Sequence, residues 1–348
     1  MDFNIPLTQG ILNEIAGLDR FEGRWNAGHG IPADRLERLK EAAIIQSVAA
    51  SCRLSGMRVS DVEVAGSLRG EGIPVPDGVH ACAYARAMAY PIESSQTLIT
   101  ADELKRLHAV LSNGDRRSAS EWRSEVYHRE SFDGQGKATG RVFATLPPRM
   151  IESKVEDLLT WLELELRTRE RHPVLIIGTF VLGFLSASPF ASGNARLARL
   201  LIGRLLQRCG YAYVPYASIE RQIEDLRDAY YEGLDRAQSR FWTGEGDLEP
   251  WLSFFLQVLS RHRDRVRGKA ELEREAGGLP PLQRTILDTV REHGTVDAGL
   301  LIRATGANRN TLKDNLRRMV QRGVLQKTGQ RRGTRYRLSS GDIARPAI

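Results

Sequence analysis

The stretch best equipped for chemistry runs Ser188-Pro-Phe-Ala-Ser-Gly-Asn-Ala-Arg-Leu-Ala-Arg199 and lies between two helical patterns. Gly193-Asn194 reads as a turn whose backbone N–H groups lead into a helix starting near Ala195, and a helix N-terminus attracts anions. Arg196 and Arg199, three residues apart, share a helix face and can clamp phosphate oxygens. Taken alone, the same pair also suits a salt-bridged surface face.

A second concentration of chemistry lies at the C-terminal end. Residues 281–348 hold 14 Lys/Arg against 5 Asp/Glu, whereas residues 1–280 hold 36 against 38. The net charge of +7 therefore comes from one module, and a basic module on a near-neutral body points to a polyanion partner. Within it Leu312, Leu316, Met319 and Val320 form an inward helical stripe, which leaves Arg309, Asn310, Lys313, Arg317 and Arg318 outward. Asn, Lys and Arg on such a face can read base edges while other arginines meet phosphates. Arg331, Arg332 and Arg335 sit at the tip of a following hairpin, suited to backbone or minor-groove contact. Duplex DNA is the expected partner, and a dimerisation or protein-docking role is the alternative for the same module.

The elements that must position these residues are helical almost throughout. Apolar residues recur at helical spacing in Leu36, Leu39, Ala43, Ile44 and Val48, in Leu158, Leu159, Leu162 and Leu166, and in Leu200, Leu201, Leu205 and Leu206. Phe132 to Pro148 breaks the pattern: its glycines, the β-prone run Arg141–Thr145 and a Pro-Pro stop predict an exposed hairpin. Residues 261–278 read as a charged helical connector. Three helices (Leu282–His293, Asp297–Thr305, Asn308–Gln321) and a hairpin (Val324–Thr328, Thr334–Leu338) then fill 279–338 in the winged helix-turn-helix order.

Composition narrows the function classes. With 41% hydrophobic and 27% charged residues the chain is an ordinary globular protein. The longest apolar run, Val174 to Leu185, is interrupted by Gly178, Thr179 and Gly183 and is shorter than the ~18 residues of a membrane span, so no membrane partner is expected. The N-terminal residues show no basic-then-apolar leader. Cys52, Cys82 and Cys209 have no metal-ligand spacing, so a reduced, cytoplasmic protein without structural metal is expected.

The central stretch resembles the signature of the Fic family, HPFx(D/E)GNGRxxR, with Pro189, Phe190, Gly193, Asn194, Arg196 and Arg199 matching. His172-Pro173-Val174, Gly210-Tyr211, Val214-Pro215-Tyr216, Asp228-Ala229-Tyr230-Tyr231, Glu22-Gly23-Arg24-Trp25 and Trp251-Leu252-Ser253-Phe254-Phe255 are similar to flanking elements, some of them from a subgroup that ends in a winged helix. The resemblance implies a mainly α Fic-type helical bundle over 1–260 with the hairpin 132–148 as its flap. It also implies transfer of AMP from ATP to a target hydroxyl, with the signature His as base and the signature carboxylate holding Mg²⁺. Here Ser188 replaces that His, Ser192 the carboxylate and Ala195 the second glycine. Loss of a general base costs roughly 10²–10⁴-fold. Loss of the metal ligand removes several kcal/mol more. His128 and His172 are the histidines weighed as replacement bases, and each is better explained as a surface or capping residue.

In segment 40–56, Ser51-Cys52-Arg53-Leu54-Ser55-Gly56 resembles the family's inhibitory helix ending, (S/T)xxxE(G/N), with Ser55 in place of its Glu. That resemblance implies an Arg199 released from its usual partner and open to another anion. The combined expectation is a catalytically silent Fic body joined to a DNA-binding winged helix, acting as a homodimeric regulator. Gly193, Asn194, Arg196 and Arg199 would keep a pocket for ATP, ADP or another phosphate-bearing ligand without Mg²⁺. The alternatives are a divergent ATP-dependent nucleotidyltransferase, and a pseudoenzyme that grips a protein partner at its flap.

Overall fold

A computed structural model describes residues 1, 3–71, 78–90, 99–112, 121–126, 128–132, 138–238, 240–277, 279–329 and 333–339. The chain divides into two compact units, one of Met1–His29 with Leu36–Arg267 and one of Gly30–Arg35 with Gly268–Ile348. Among the described residues, no helix is long and apolar enough to cross a membrane.

The first unit is built around one helix. The helices preceding it are α1 (Gln9–Ala27), α2 (Ala33–Leu54), α3 (Asp61–Leu68), α4 (Gly78–Ala89) and α5 (Ala101–Leu111). Strands β1 (His128–Phe132) and β2 (Ala138–Ala144) form an antiparallel pair, and α6 (Pro148–Thr168) follows. The central helix α7 (Pro173–Ala187) is buried from Val174 through Ala187, which explains why its sequence is apolar on every side. Its start is fixed by Pro173 in the first turn and by the His172 ring, which accepts from the Val174 N–H at 3.3 Å. After it come α8 (Asn194–Arg208), α9 (Ile219–Asp225), α10 (Arg227–Gln238) and α11 (Glu249–Gly277).

Two glycines let neighbours reach the axis of α7. A Cβ at Gly178 would lie 2.9 Å from both Leu252 and Phe255, and one at Gly183 would lie 2.7 Å from the Phe241 ring. The Trp251 indole N–H donates to the Gly178 carbonyl at 2.8 Å, locking the start of α11 against α7.

The hairpin expected over 132–148 begins earlier, since His128 already pairs with Ala144 and Phe132 is the last residue of β1. Its tip, 133–137, lies outside the described residues. The Pro-Pro expected to stop a strand instead starts a helix: Pro148 opens α6, where its missing N–H costs nothing.

The second unit contains α12 (Pro281–His293), β3 (Thr295–Asp297), α13 (Ala298–Thr305), α14 (Arg309–Gln321), β4 (Leu325–Thr328) and β5 (Arg335–Leu338). The strands form an antiparallel sheet in the order β3-β5-β4. Strand β3 was not expected from the sequence, because it is only three residues long and pairs with β5 from about 40 positions away. Asp297 ends β3 and caps α13 through the Leu300 N–H at 2.8 Å, and Asn308 caps α14 through the Thr311 N–H at 2.8 Å. Ile286, Val290, Val296, Leu301, Leu312, Leu316 and Met319 form the core of this unit. An ion cluster flanks it: Arg35 makes a two-pronged pair with Asp288, and Arg291 reaches Glu273 at 2.6 Å.

The close packing around α7 predicts the effect of one methyl group. Gly183→Ala should destabilise the protein by roughly 1–3 kcal/mol through overpacking, although alanine favours helices. Urea unfolding checks this, and a stability equal to or above wild type would contradict it.

Candidate functional site

The loop between α7 and α8 is held almost entirely through its backbone. α7 ends at Ser188 with φ 44°, a left-handed conformation that among described non-glycine residues only Arg169 shares. For a residue with a Cβ that conformation costs on the order of 1 kcal/mol, and here it turns the chain out of the core. Arg123, buried, satisfies carbonyls that the turn leaves without helix partners: its guanidinium donates to Ser188 O at 2.8 Å, Leu146 O at 2.5 Å and Ala187 O at 3.3 Å. Its own N–H donates to Pro189 O at 2.9 Å. Asn194 closes the turn, accepting from Phe190 N–H at 3.0 Å and donating to Phe190 O at 2.7 Å. His108 lies flat on Phe190 with ring centroids 3.8 Å apart, and its Nε2 donates to Ser192 O at 2.9 Å. Gly193 has φ 76° and His108 packed against it, so a side chain there meets both backbone strain and a close contact.

Ser188 is 3% exposed, and its hydroxyl donates to Leu185 O at 2.7 Å. The hydroxyl thus serves the helix end. Ser192 is exposed at the rim. Ala195 lies within the helical backbone of α8, without a positive φ, and lines the pocket.

The two arginines of the helix have separate fates. Arg199 is 4% exposed and surrounded by serine oxygens from the end of α2. It donates to Ser51 Oγ at 2.9 Å, Ser51 O at 3.0 Å and Ser55 Oγ at 3.1 Å. The expectation of an Arg199 released by the missing Glu is therefore corrected: Ser51 and Ser55, one turn apart, take that place with neutral oxygens. Gly56, with φ 87°, closes the α2 end that presents them. The Ser51 hydroxyl also hydrogen-bonds Tyr84, whose own hydroxyl donates to Glu220 at 2.8 Å. Burial first, and the Glu220 charge second, raise the Tyr84 phenol well above its ordinary pKa, so it stays a proton donor. A buried cation and a buried carboxylate thus face each other across a serine and a tyrosine.

Arg196 instead lines an open pocket of 370 Å³. Leu54, Met57 and Phe190 are its apolar lining residues, and Ser55, Thr145, Ser188 and Ser192 its hydroxyl-bearing ones. His80 also lines it, with its Nδ1 3.3 Å from Arg196 Nη1. Burial, and then the neighbouring Arg199 charge, pull the Arg196 guanidinium below its ordinary pKa. Among the described residues no carboxylate lines the pocket, and no cluster of three or more His, Cys, Asp or Glu could hold a metal ion. This donor set of neutral hydroxyls does not fit Mg²⁺.

Of the two histidines weighed as replacement bases, His172 is engaged with Val174 N–H and with Asp19 at 3.1 Å. The His128 side chain lies outside the described residues. The residues missed from sequence are Arg123, His108, His80, Tyr84 and Glu220. Each comes from a segment remote from the motif and has no distinctive spacing of its own.

In the second unit, Arg309, Asn310, Lys313, Arg317 and Arg318 are all exposed on α14. Arg335 is exposed on β5 opposite Asp297. Arg331 and Arg332 lie outside the described residues.

Residues 98–206 match the model of the Fic/DOC family, a span that contains the loop, Arg196 and Arg199. Two curated relatives are named protein adenylyltransferase Fic. The one from Culex quinquefasciatus is 26% identical over 261 residues, covering 71% of this chain and 46% of its own length. The one from Drosophila grimshawi is 28% identical over 151 residues, covering 40% and 29%. The chain thus spans less than half the length of either. Among solved structures, a Fic family protein from Desulfovibrio desulfuricans aligns over 99% of this chain and 100% of its own, with TM-score 0.63 and 22% identity. A Fic domain containing signaling protein from Bacteroides thetaiotaomicron aligns over 74% of this chain and 97% of its own, with TM-score 0.59 and 16% identity. The fold is the mainly helical Fic fold, and the chain carries a Fic/DOC family domain.

Proposed function

We propose that this protein is a DNA-binding regulator whose Fic-fold body holds a ligand pocket but transfers no nucleotide. The observation that carries the reading is the outer face of α14. Arg309, Lys313, Arg317 and Arg318 are exposed there with Asn310, and no ion pair links any of the four to a carboxylate among the described residues. Helices α12 to α14 with the β3-β5-β4 sheet follow the order of a winged helix, in which α14 is the recognition helix. Arg309, Asn310 and Lys313 would meet base edges, and Arg317, Arg318 and the hairpin arginines would meet phosphates. A homodimer would place two such helices on half-sites about one helical turn apart. The free thiols and the lack of metal-ligand spacing suit a reduced, cytoplasmic setting.

Silence in the body is supported by Ser188 and by the pocket lining. A serine hydroxyl is no base near neutral pH, and this one already serves Leu185. The second reading, a divergent transferase, is favoured by the names of the two curated relatives. Incubation of the full chain with α-labelled ATP and Mg²⁺ separates the two. The proposal expects no label on the protein itself or on lysate proteins, and label transfer abolished by Arg196→Ala would establish the transferase.

Duplex binding is measured by fluorescence anisotropy across a salt series. About six phosphate contacts give a slope of about −5 in log K against log salt. Lys313→Ala should lose discrimination between sequences, and Arg317→Ala should weaken all of them and flatten the slope. A full-length protein that ignores duplex DNA at about 50 mM salt, well inside the range where such contacts bind, would overturn the DNA reading.

A further inference from the structure

Among the cations of α14 stands one acid. Asp314 is the single Asp or Glu in the sequence of Arg309–Gln321. At 3.6 residues per turn it lies one turn from Asn310, Arg317 and Arg318, on the side away from the buried Leu312, Leu316 and Met319. It is exposed, as are Arg309, Asn310, Thr311, Lys313, Arg317 and Arg318 around it. The acid therefore sits near the middle of the outward face and not at its margin.

The structural roles open to such a residue are not filled. An acid stabilises a helix in the first turn, where it meets the macrodipole, but Asp314 lies beyond that turn, which contains no acid. The helix start is capped by the neutral Asn308. An acid in mid-helix can also pair with a base one turn on. Yet among the described residues Asp314 makes no ion pair with Arg317, Arg318 or any other cation. Aspartate is, besides, one of the poorer helix formers. Its neighbour shows the contrast. Asn315 accepts from Gln283 of α12 at 2.8 Å and donates to Thr311 O at 2.8 Å, so both ends of its amide are engaged. That bond to Gln283, which is buried, also fixes which face of α14 turns outward.

On a face that meets phosphates, a carboxylate weakens every non-specific complex, because the polyanion that attracts its neighbours repels it. One kind of contact offsets this. In the major groove cytosine presents the donor N4–H₂, whereas guanine presents the acceptors N7 and O6 and thymine the acceptor O4. Adenine places the acceptor N7 beside its N6–H₂. A side chain that only accepts is thus satisfied best by cytosine.

We infer that Asp314 is a specificity-determining residue, which accepts from cytosine N4 where the middle of α14 meets the major groove and disfavours duplexes without a C·G pair there. The cations beside it gain affinity on any duplex, so discrimination at this position comes from the charge that opposes binding. The inference rests on the DNA-binding reading of the second unit and names the base that this reading leaves open.

The test is selection of sites from a randomised duplex library by the full chain, followed by fluorescence anisotropy on the selected duplex and its single-base variants. The expected site has one position where cytosine is preferred and where its replacement weakens binding by at least about fivefold. Asp314→Ala, checked for folding by circular dichroism, should lose the preference at that position only. It should also bind unselected duplex at least about twofold more tightly, because one repelling charge is gone. Asp314→Asn, whose amide both donates and accepts, should shift the preferred base there from cytosine to adenine. An Asp314→Ala protein that keeps every base preference, or that binds selected and unselected duplexes alike more weakly, would overturn the inference and leave DNA binding standing. A full chain that selects no duplex at all would overturn the DNA-binding reading, and this inference with it.

Discussion

A guanidinium with 4% of its surface exposed has to find oxygen atoms and a balancing charge inside the protein. Arg199 solves this with Ser51 and Ser55 at the end of α2, and through Ser51 with Tyr84 of α4 and Glu220 of α9. Four helices, α2, α4, α8 and α9, are thereby tied to one charge. The same arrangement fixes the pocket: the end of α2 that cages Arg199 also contributes Leu54, Ser55 and Met57 to its wall. Each member of the network is consumed by it. Tyr84 stays protonated, Glu220 also accepts from Ser218 at 3.2 Å, and Arg199 turns its donors inward.

The loop from Ser188 to Gly193 follows a complementary rule. Its carbonyls turn away from regular helix bonding, and buried carbonyls must be satisfied. Arg123, His108 and Asn194 do this for Ala187, Ser188, Phe190 and Ser192. The scaffold so held presents hydroxyl-bearing residues and Arg196 to the pocket among the described lining residues.

Much of this was legible in the sequence. The all-round apolar run of α7, the motif loop and the order of elements after Pro281 follow from spacing and from turn residues, because they are local properties of the chain. The α14 face was also readable, since its inward stripe leaves the cations only one place to go. The cage around Arg199 was not. Reasoning from a missing Glu treats the arginine as one half of a pair. Two serines one turn apart surround it with oxygens, and Glu220 is reached through Tyr84. Arg123 and His80 were illegible for a related reason: an isolated Arg or His acquires its role only when remote segments meet. The strand β3 was lost because three residues hold no periodicity.

Glu220 and Arg199 do not touch, so their coupling tests the account most directly. A double-mutant cycle of Glu220→Gln and Arg199→Met removes each charge while Gln keeps an acceptor for Tyr84. Urea unfolding followed by tryptophan fluorescence reports on the right unit, because Trp25, Trp122, Trp161, Trp242 and Trp251 all belong to the first one. If the two charges balance each other through Ser51 and Tyr84, each single variant is destabilised and the double variant recovers at least about 1 kcal/mol of the summed loss, within the range for residues of one network. Losses that add to within about 0.5 kcal/mol, as for independent sites, would contradict the account.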